Sequence, residues 1–180
     1  MNQRIPPLDP AQTAGKVKET LAGVQRKLGM TPNMMRTMAH SPAVLDAYLA
    51  FSGALATGVL PAAIREQLAL MVGQTNKCEY CVSAHSMLGG LAGLGPQQLA
   101  DARRQRSTDP KAQAALSLAA NIVERRGDVT DAQLAAARQA GLGDAEIAEV
   151  VAHVALNVLT NYFNQVARTE VDFPRVSLSL

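Results

Sequence analysis

Two cysteines, a histidine and a glutamate fall into one short stretch of this chain, EQLALMVGQTNKCEYCVSAH. Cys78 and Cys81 are the only cysteines and stand three residues apart. His85 follows Cys81 by four residues, and Glu66 precedes Cys78 by twelve. Side chains three or four apart on a helix are neighbours, so the two thiols are placed to close a disulfide and the imidazole lies over Cys81. At the entry of a helix the dipole favours a thiolate. His85 is positioned to take the proton of Cys81, whereas Cys78 is two turns away. Cys81 is therefore the predicted attacking thiol and Cys78 its resolving partner. A peroxide would oxidise Cys81 to a sulfenic acid, which Cys78 condenses to a disulfide. Glu66 has small and apolar neighbours at the helical offsets, which suits a partly buried carboxyl that holds or relays a proton.

Other uses of the same residues fit less well. A structural zinc on Cys78, Cys81 and His85 needs a fourth ligand, and neither His40 nor His153 belongs to a second ligand pair. Haem attachment requires histidine directly after the second cysteine, where Val82 stands. The expectation is no metal and no cofactor. The N-terminus, MNQRIPPLDP, lacks an apolar secretory segment, so a cytoplasmic location is expected. In a reducing compartment a CxxC pair is more often catalytic or metal-binding than a structural staple.

Glu66, Cys78, Tyr80, Cys81 and His85 together resemble the active-site signature of the alkylhydroperoxidase D (AhpD) family, within the carboxymuconolactone decarboxylase superfamily. The resemblance covers about residues 42–91, and NVLTNYFNQVARTEVDFP is similar to the end of peroxidase-related members. It implies an all-helical fold assembled as dimers, trimers or hexamers. It also implies a catalytic set of Glu66, Cys78, Cys81 and His85, with Glu66 and His85 as a proton relay. The implied activity is reduction of an organic hydroperoxide, with electrons from an external dithiol or a lipoyl-type reductant. Decarboxylases of the superfamily generally lack the CxxC pair, which places this chain with the redox branch. Two alternatives remain: a lactone enzyme using His85 and Glu66 as acid and base, and a thiol redox sensor without turnover.

The elements that must position these residues are helical. The 180 residues suffice for one filled core, and 48% are hydrophobic, mostly Ala, Leu and Val, with three Tyr, three Phe and no Trp. Such composition favours helix over strand. Pro and Gly divide the chain into helices: one from Pro10 closed by Gly29, a short one after Pro32, one from Pro42 to about Thr57, and one from Pro61 to about Thr75–Lys77. A helix led by CEYC runs to about Leu91, others start near Pro96, Pro110 and Asp131, and the last spans about Asp144 to Thr169. The predicted architecture is one all-α domain over residues 1–180, with the redox core at about 42–91. The net charge of +2 is too small and scattered for nucleic acid, and no apolar run reaches membrane length.

The helices from Pro61 and Asp144 are apolar over most of their surface, which predicts a homo-oligomer that covers the excess. Glu149, His153, Asn157, Asn161, Asn164 and Arg168 form one stripe along the last helix, which fits a pocket wall, a subunit seam or a solvated face. His153 and Tyr80 are candidate substrate-pocket residues. Packing alone would equally place Tyr80 at the helix entry. Met30, Met34, Met35 and Met38 suit adaptable packing near an entrance or interface.

Overall fold

The structure, a computed structural model, describes residues 3–180. Among these residues nine α-helices follow one 3-10 turn at Pro10–Gln12: α1 (Gly15–Leu28), α2 (Asn33–Met38), α3 (Pro42–Leu55), α4 (Ala62–Thr75), α5 (Glu79–Leu91), α6 (Pro96–Arg103), α7 (Pro110–Arg125), α8 (Asp131–Gln139) and α9 (Asp144–Ala167). Among the described residues there is no strand. No helix there is long and apolar enough to cross a membrane.

Most boundaries follow the punctuation. Asp109 accepts the Ala112 N–H at 2.7 Å ahead of Pro110, and Thr130 with Gln133 forms a capping box at the start of α8. Gly29 ends α1 in the left-handed conformation at φ 73°. The predicted helix from Pro10 does not form as one piece. Asp9 does cap a turn there, but the Thr13 hydroxyl takes the Pro10 carbonyl at 2.8 Å and the backbone extends at Thr13. Gly15 then turns at φ 54°, and the helix begins afresh. At the other end α9 stops two residues early. Arg168 enters the left-handed region at φ 51°, and the Thr169 N–H returns to the Asn164 carbonyl at 3.0 Å.

The helix α4 is the axis of the molecule and packs against α5, α6, α7 and α9. Ile64, Leu68, Met71 and Val72 join Leu116, Ala119, Leu142, Val150 and Val154 in the larger core. A second core gathers Leu21, Val24, Met34, Met35, Met38 and Leu45 around Cys78, Tyr80 and Cys81. The C-terminal segment fastens across α4, α5 and α6. The Val176 N–H donates to Ser83 Oγ at 3.0 Å, Gln74 Nε2 to the Leu178 carbonyl at 2.8 Å, and Arg103 holds the Ser177 carbonyl.

Two surface expectations change in the folded chain. Residues Leu68, Leu70, Met71 and Val72 of α4 are fully buried by the chain's own helices, so α4 has no excess for a second subunit to cover. On α9 the polar stripe is the inward one. His153, Asn157, Asn161 and Asn164 are buried, whereas Val151, Leu159, Tyr162 and Val166 are exposed. A solvated face is therefore excluded for those amides. Glu149, at the start of the stripe, accepts the N–H groups of Val59 at 2.6 Å and Leu60 at 2.8 Å and fixes the turn before α4. Its carboxylate occupies the space that a Cβ on residue 58 would need, which accounts for Gly58.

Candidate active site

Only Asn76, Lys77 and Cys78 separate α4 from α5. Lys77 turns the chain in the left-handed region at φ 56°, which lets the Cys78 N–H reach back to the Gly73 carbonyl at 2.8 Å. Cys78 is thereby both the exit of α4 and the N-cap of α5, and its sulfur accepts the Cys81 N–H at 3.3 Å. The two sulfurs stand 2.6 Å apart as free thiols. A Cβ at position 73 would meet Cys81 Cβ at 3.4 Å, so α5 packs against α4 here at ordinary van der Waals contact. The corner is pinned by α9: Asn76 Nδ2 donates to Asn161 Oδ1 at 2.9 Å, and Gln165 donates to the Asn76 carbonyl.

The acid and the imidazole meet across the same two helices. Glu66 Oε2 lies 2.7 Å from His85 Nδ1, with both side chains partly buried. Burial opposes protonation of His85, but the charge of Glu66 and its hydrogen bond outweigh this and hold the imidazole above its ordinary pKa. Cys81 shows the complementary balance. Burial pushes the thiol up, while the hydrogen bond from Cys78, the charge of His85 and the amides of Asn164 and Asn161 bring it down to about 7. Cys78 moves the other way, well above the ordinary thiol range, because it donates to Cys81 and is itself buried. A thiolate on Cys81 facing an imidazolium on His85 is the state this arrangement favours.

Three spaces surround this pair of pairs. An apolar cavity of about 250 Å³ is lined by Cys81 and His85 with Met34, Met35, Leu88 and Phe173. On the other side of His85 lies a polar chamber of about 160 Å³, with Glu66, Arg65, Ser52, His153 and Asn157 in its wall. Cys78 lines a third space, a polar cleft of about 750 Å³. Tyr80 separates the cleft from the apolar cavity and borders both. Its hydroxyl accepts the Met34 N–H at 3.2 Å, and its ring meets Phe173 edge-on at 5.5 Å.

The structure thus brings Glu66, Cys78, Cys81 and His85 into one site. It puts Tyr80 in the wall, and His153 outside the cavity that reaches Cys81. The His153 ring is buried in the polar chamber behind Glu66, where burial and Arg65 lower its pKa and, among the described residues, its Nε2 has no partner. Arg65, adjacent to Glu66 in sequence, shares that chamber and donates to the Leu60 carbonyl at 2.8 Å. Asn164 gains a definite contact: its Nδ2 donates to Cys81 Sγ at 3.4 Å and to Met34 Sδ at 3.2 Å. The sequence places Asn164 on the stripe but has no signal for its target. Tyr48 is missed altogether. It lines both the apolar cavity and the polar chamber, and burial raises its pKa to about 12. Its spacing from Leu45 on α3 resembles ordinary core packing. Among the described residues, no cluster of three or more His, Cys, Asp or Glu is arranged to hold a metal.

The carboxymuconolactone decarboxylase family model matches residues 42–121, which run from α3 into α7. The fold matches the alkylhydroperoxidase AhpD core of an uncharacterized peroxidase-related protein from Ralstonia eutropha JMP134. The two chains are 24% identical with a TM-score of 0.86, over 94% of this chain and 92% of that one. Residues 42–121 thus match the carboxymuconolactone decarboxylase family, and the chain as a whole has an AhpD-like fold. A peroxidase-related protein from Silicibacter sp. TM1040 shares the AhpD-like architecture at 22% identity and a TM-score of 0.79, over 97% of this chain and 94% of that one. The debrominase Bmp8, whose cysteine-to-alanine variant is solved in complex with 2,3,4-tribromopyrrole, shares it at 18% identity and the same TM-score of 0.79, over 96% and 93%. At these identities the likeness is one of fold. An uncharacterized protein of Haemophilus influenzae is 50% identical over 46 residues, which make up 25% of this chain and 41% of that relative's length.

Proposed function

We propose that this protein is a thiol-dependent peroxidase that reduces organic hydroperoxides through Cys78 and Cys81. The observation that carries the reading is the placing of Cys81. Its thiol is held at about pKa 7 in the wall of an apolar cavity, between a Glu66-bound His85 and a second thiol 2.6 Å away. In the first step the Cys81 thiolate attacks the terminal oxygen of the hydroperoxide and the O–O bond breaks. The alkoxide leaves with the electron pair and takes a proton from the His85 imidazolium. Cys78 then attacks the Cys81 sulfenic sulfur, and the hydroxide released takes the Cys78 proton and leaves as water. An external dithiol, of lipoyl or similar type, returns the disulfide to two thiols.

The apolar lining suits an organic peroxide better than hydrogen peroxide. The test is consumption of cumene hydroperoxide with dihydrolipoamide, reduced thioredoxin or glutathione as donor. Turnover with a dithiol donor and little with glutathione is expected. Absence of turnover with every donor would abandon the reading and favour a sensor that oxidises once.

A second substrate class is favoured by the likeness in fold to a debrominase. In a brominated aromatic, Cys81 would take the bromine as its carbon takes a proton, and Cys78 would then displace bromide to form the same disulfide. Bromide release from a brominated pyrrole, assayed with the same donors, separates the two classes.

The exposed stripe Val151, Leu159, Tyr162 and Val166 supports a homo-oligomer in which a second copy covers α9. Multi-angle light scattering is expected to give a multiple of the 19.0 kDa chain mass. The double variant L159E/V166E should lower the multiple. A wild-type mass of one chain at micromolar concentration refutes the assembly.

A further inference from the structure

The two sulfurs open to different spaces. Cys81 lines the apolar cavity and not the polar cleft, and Cys78 lines the cleft and not the cavity. Tyr80, braced by Met34 and Phe173, stands between them. The cleft differs from the cavity in chemistry as well as position. Lys77, Arg168 and Arg175 are exposed at its edge, and among the described residues none of them is in an ion pair; Glu79 and Glu170 leave one positive charge in excess. Lys77 and Arg168 are both set in left-handed backbone, at φ 56° and 51°, which fixes where they leave the chain. The residues of the cleft wall include Asn164 and Thr169, whose buried Oδ1 and Oγ1 have no hydrogen-bond partner among the described residues.

We infer that oxidant and reductant use opposite sides of the thiol pair: an anionic dithiol enters the polar cleft and attacks the sulfur of Cys78, while the apolar cavity serves Cys81 alone. The reductive half then proceeds in two displacements. A donor thiolate bonds to Cys78 Sγ, the Cys78–Cys81 bond breaks, and Cys81 departs as the thiolate with the electron pair. The donor's second thiolate attacks the donor sulfur of the mixed disulfide, closing a cyclic disulfide and releasing Cys78. The donor loses two electrons and two protons, and the protons go to Cys78 and to His85. Attack at Cys78 also makes the better-stabilised thiolate the leaving group, which speeds exchange. A donor on this side does not have to displace the alcohol product from the cavity.

This rests on the peroxidase reading only for the origin of the disulfide, so the test forms that bond with diamide instead. The oxidised protein is exposed to excess mercaptoacetate, quenched with iodoacetamide and digested. Fragment ions should place the mercaptoacetate on Cys78 and the alkyl group on Cys81. The reverse placement overturns the inference. In stopped-flow reduction of the same disulfide at low salt, K77E/R175E should slow the anionic donor dihydrolipoate on the order of ten-fold and neutral dithiothreitol by less than about two-fold. Lys18→Glu, the same reversal on the outer face of α1, should change neither rate. Equal slowing of both donors, or of neither, removes the cationic mouth from the argument. A protein that fails to consume peroxide yet traps mercaptoacetate on Cys78 would keep this inference and lose the peroxidase reading.

Discussion

Replacing Cys81 by serine should abolish peroxide consumption, by roughly three orders of magnitude or more, the scale on which enzymes lose rate when their nucleophile is removed. Replacing Cys78 by serine should have a different consequence. Cys81 still meets the peroxide, but nothing condenses its sulfenic acid, so one equivalent is consumed and the protein then stops. A sulfenic-selective probe should label Cys81 in the Cys78→Ser protein and nothing in the Cys81→Ser protein. The physical basis is the asymmetry of the pair. Cys81 lines the apolar cavity beside His85 and receives the Cys78 hydrogen bond, while Cys78 lines the polar cleft. A competing effect acts on Cys78, because its sulfur caps α5 and accepts the Cys81 N–H at 3.3 Å. In thioredoxin-like pairs that position makes the first cysteine the nucleophile. Probe labelling of Cys78 in Cys81→Ser, with none on Cys81 in Cys78→Ser, would show that the N-terminal position prevails over the imidazole.

The Glu66→Gln variant should change the pH dependence of that attack. In the wild-type protein the alkylation rate of Cys81 should rise with pH and reach half its maximum near pH 7, because Cys81 is held at about that value. Below it the thiol is protonated and the rate falls. Glutamine keeps the shape of residue 66 but removes the charge that holds His85 protonated against its burial. His85 then becomes neutral at neutral pH, and Cys81 loses the cation that favours its thiolate. The half-maximum should move up toward the ordinary thiol value of about 8.5, and the rate at pH 7 should drop roughly ten-fold. At pH 9 the two proteins should react at nearly equal rates, which separates a loss of ionisation from a loss of structure. An unshifted profile would mean that Cys78 and Asn164 hold the thiolate without the imidazolium.

The spacing of Cys78, Cys81 and His85 was sufficient to set the thiol pair and the imidazole on one helix, because contacts three and four residues apart are decided by helical geometry alone. The same locality explains why the starts of α3, α6, α7 and α9 were legible from proline and capping residues. It also explains the failure at Pro10. There a turn that was locally well capped did not continue into a helix, since Thr13 captured its carbonyl and Gly15 turned the chain.

Contacts between elements were not local, and only the tertiary structure decided them. Glu66 and His85 are nineteen residues apart, and it is the packing of α4 on α5 that closes their 2.7 Å contact. The polar stripe of α9 illustrates the limit best. Periodicity put His153, Asn157, Asn161 and Asn164 in one row, but a row has no inside until a neighbour covers it. In the folded chain the cysteine-bearing corner covers that row, so Asn161 and Asn164 serve Asn76 and Cys81 while the valines and Leu159 face outward. The opening of Cys78 and Cys81 into different spaces, with Tyr80 bordering both, is of the same kind. Residues three apart in sequence open into different spaces because α2, α9 and the C-terminal segment arrive from distant parts of the chain to build the walls.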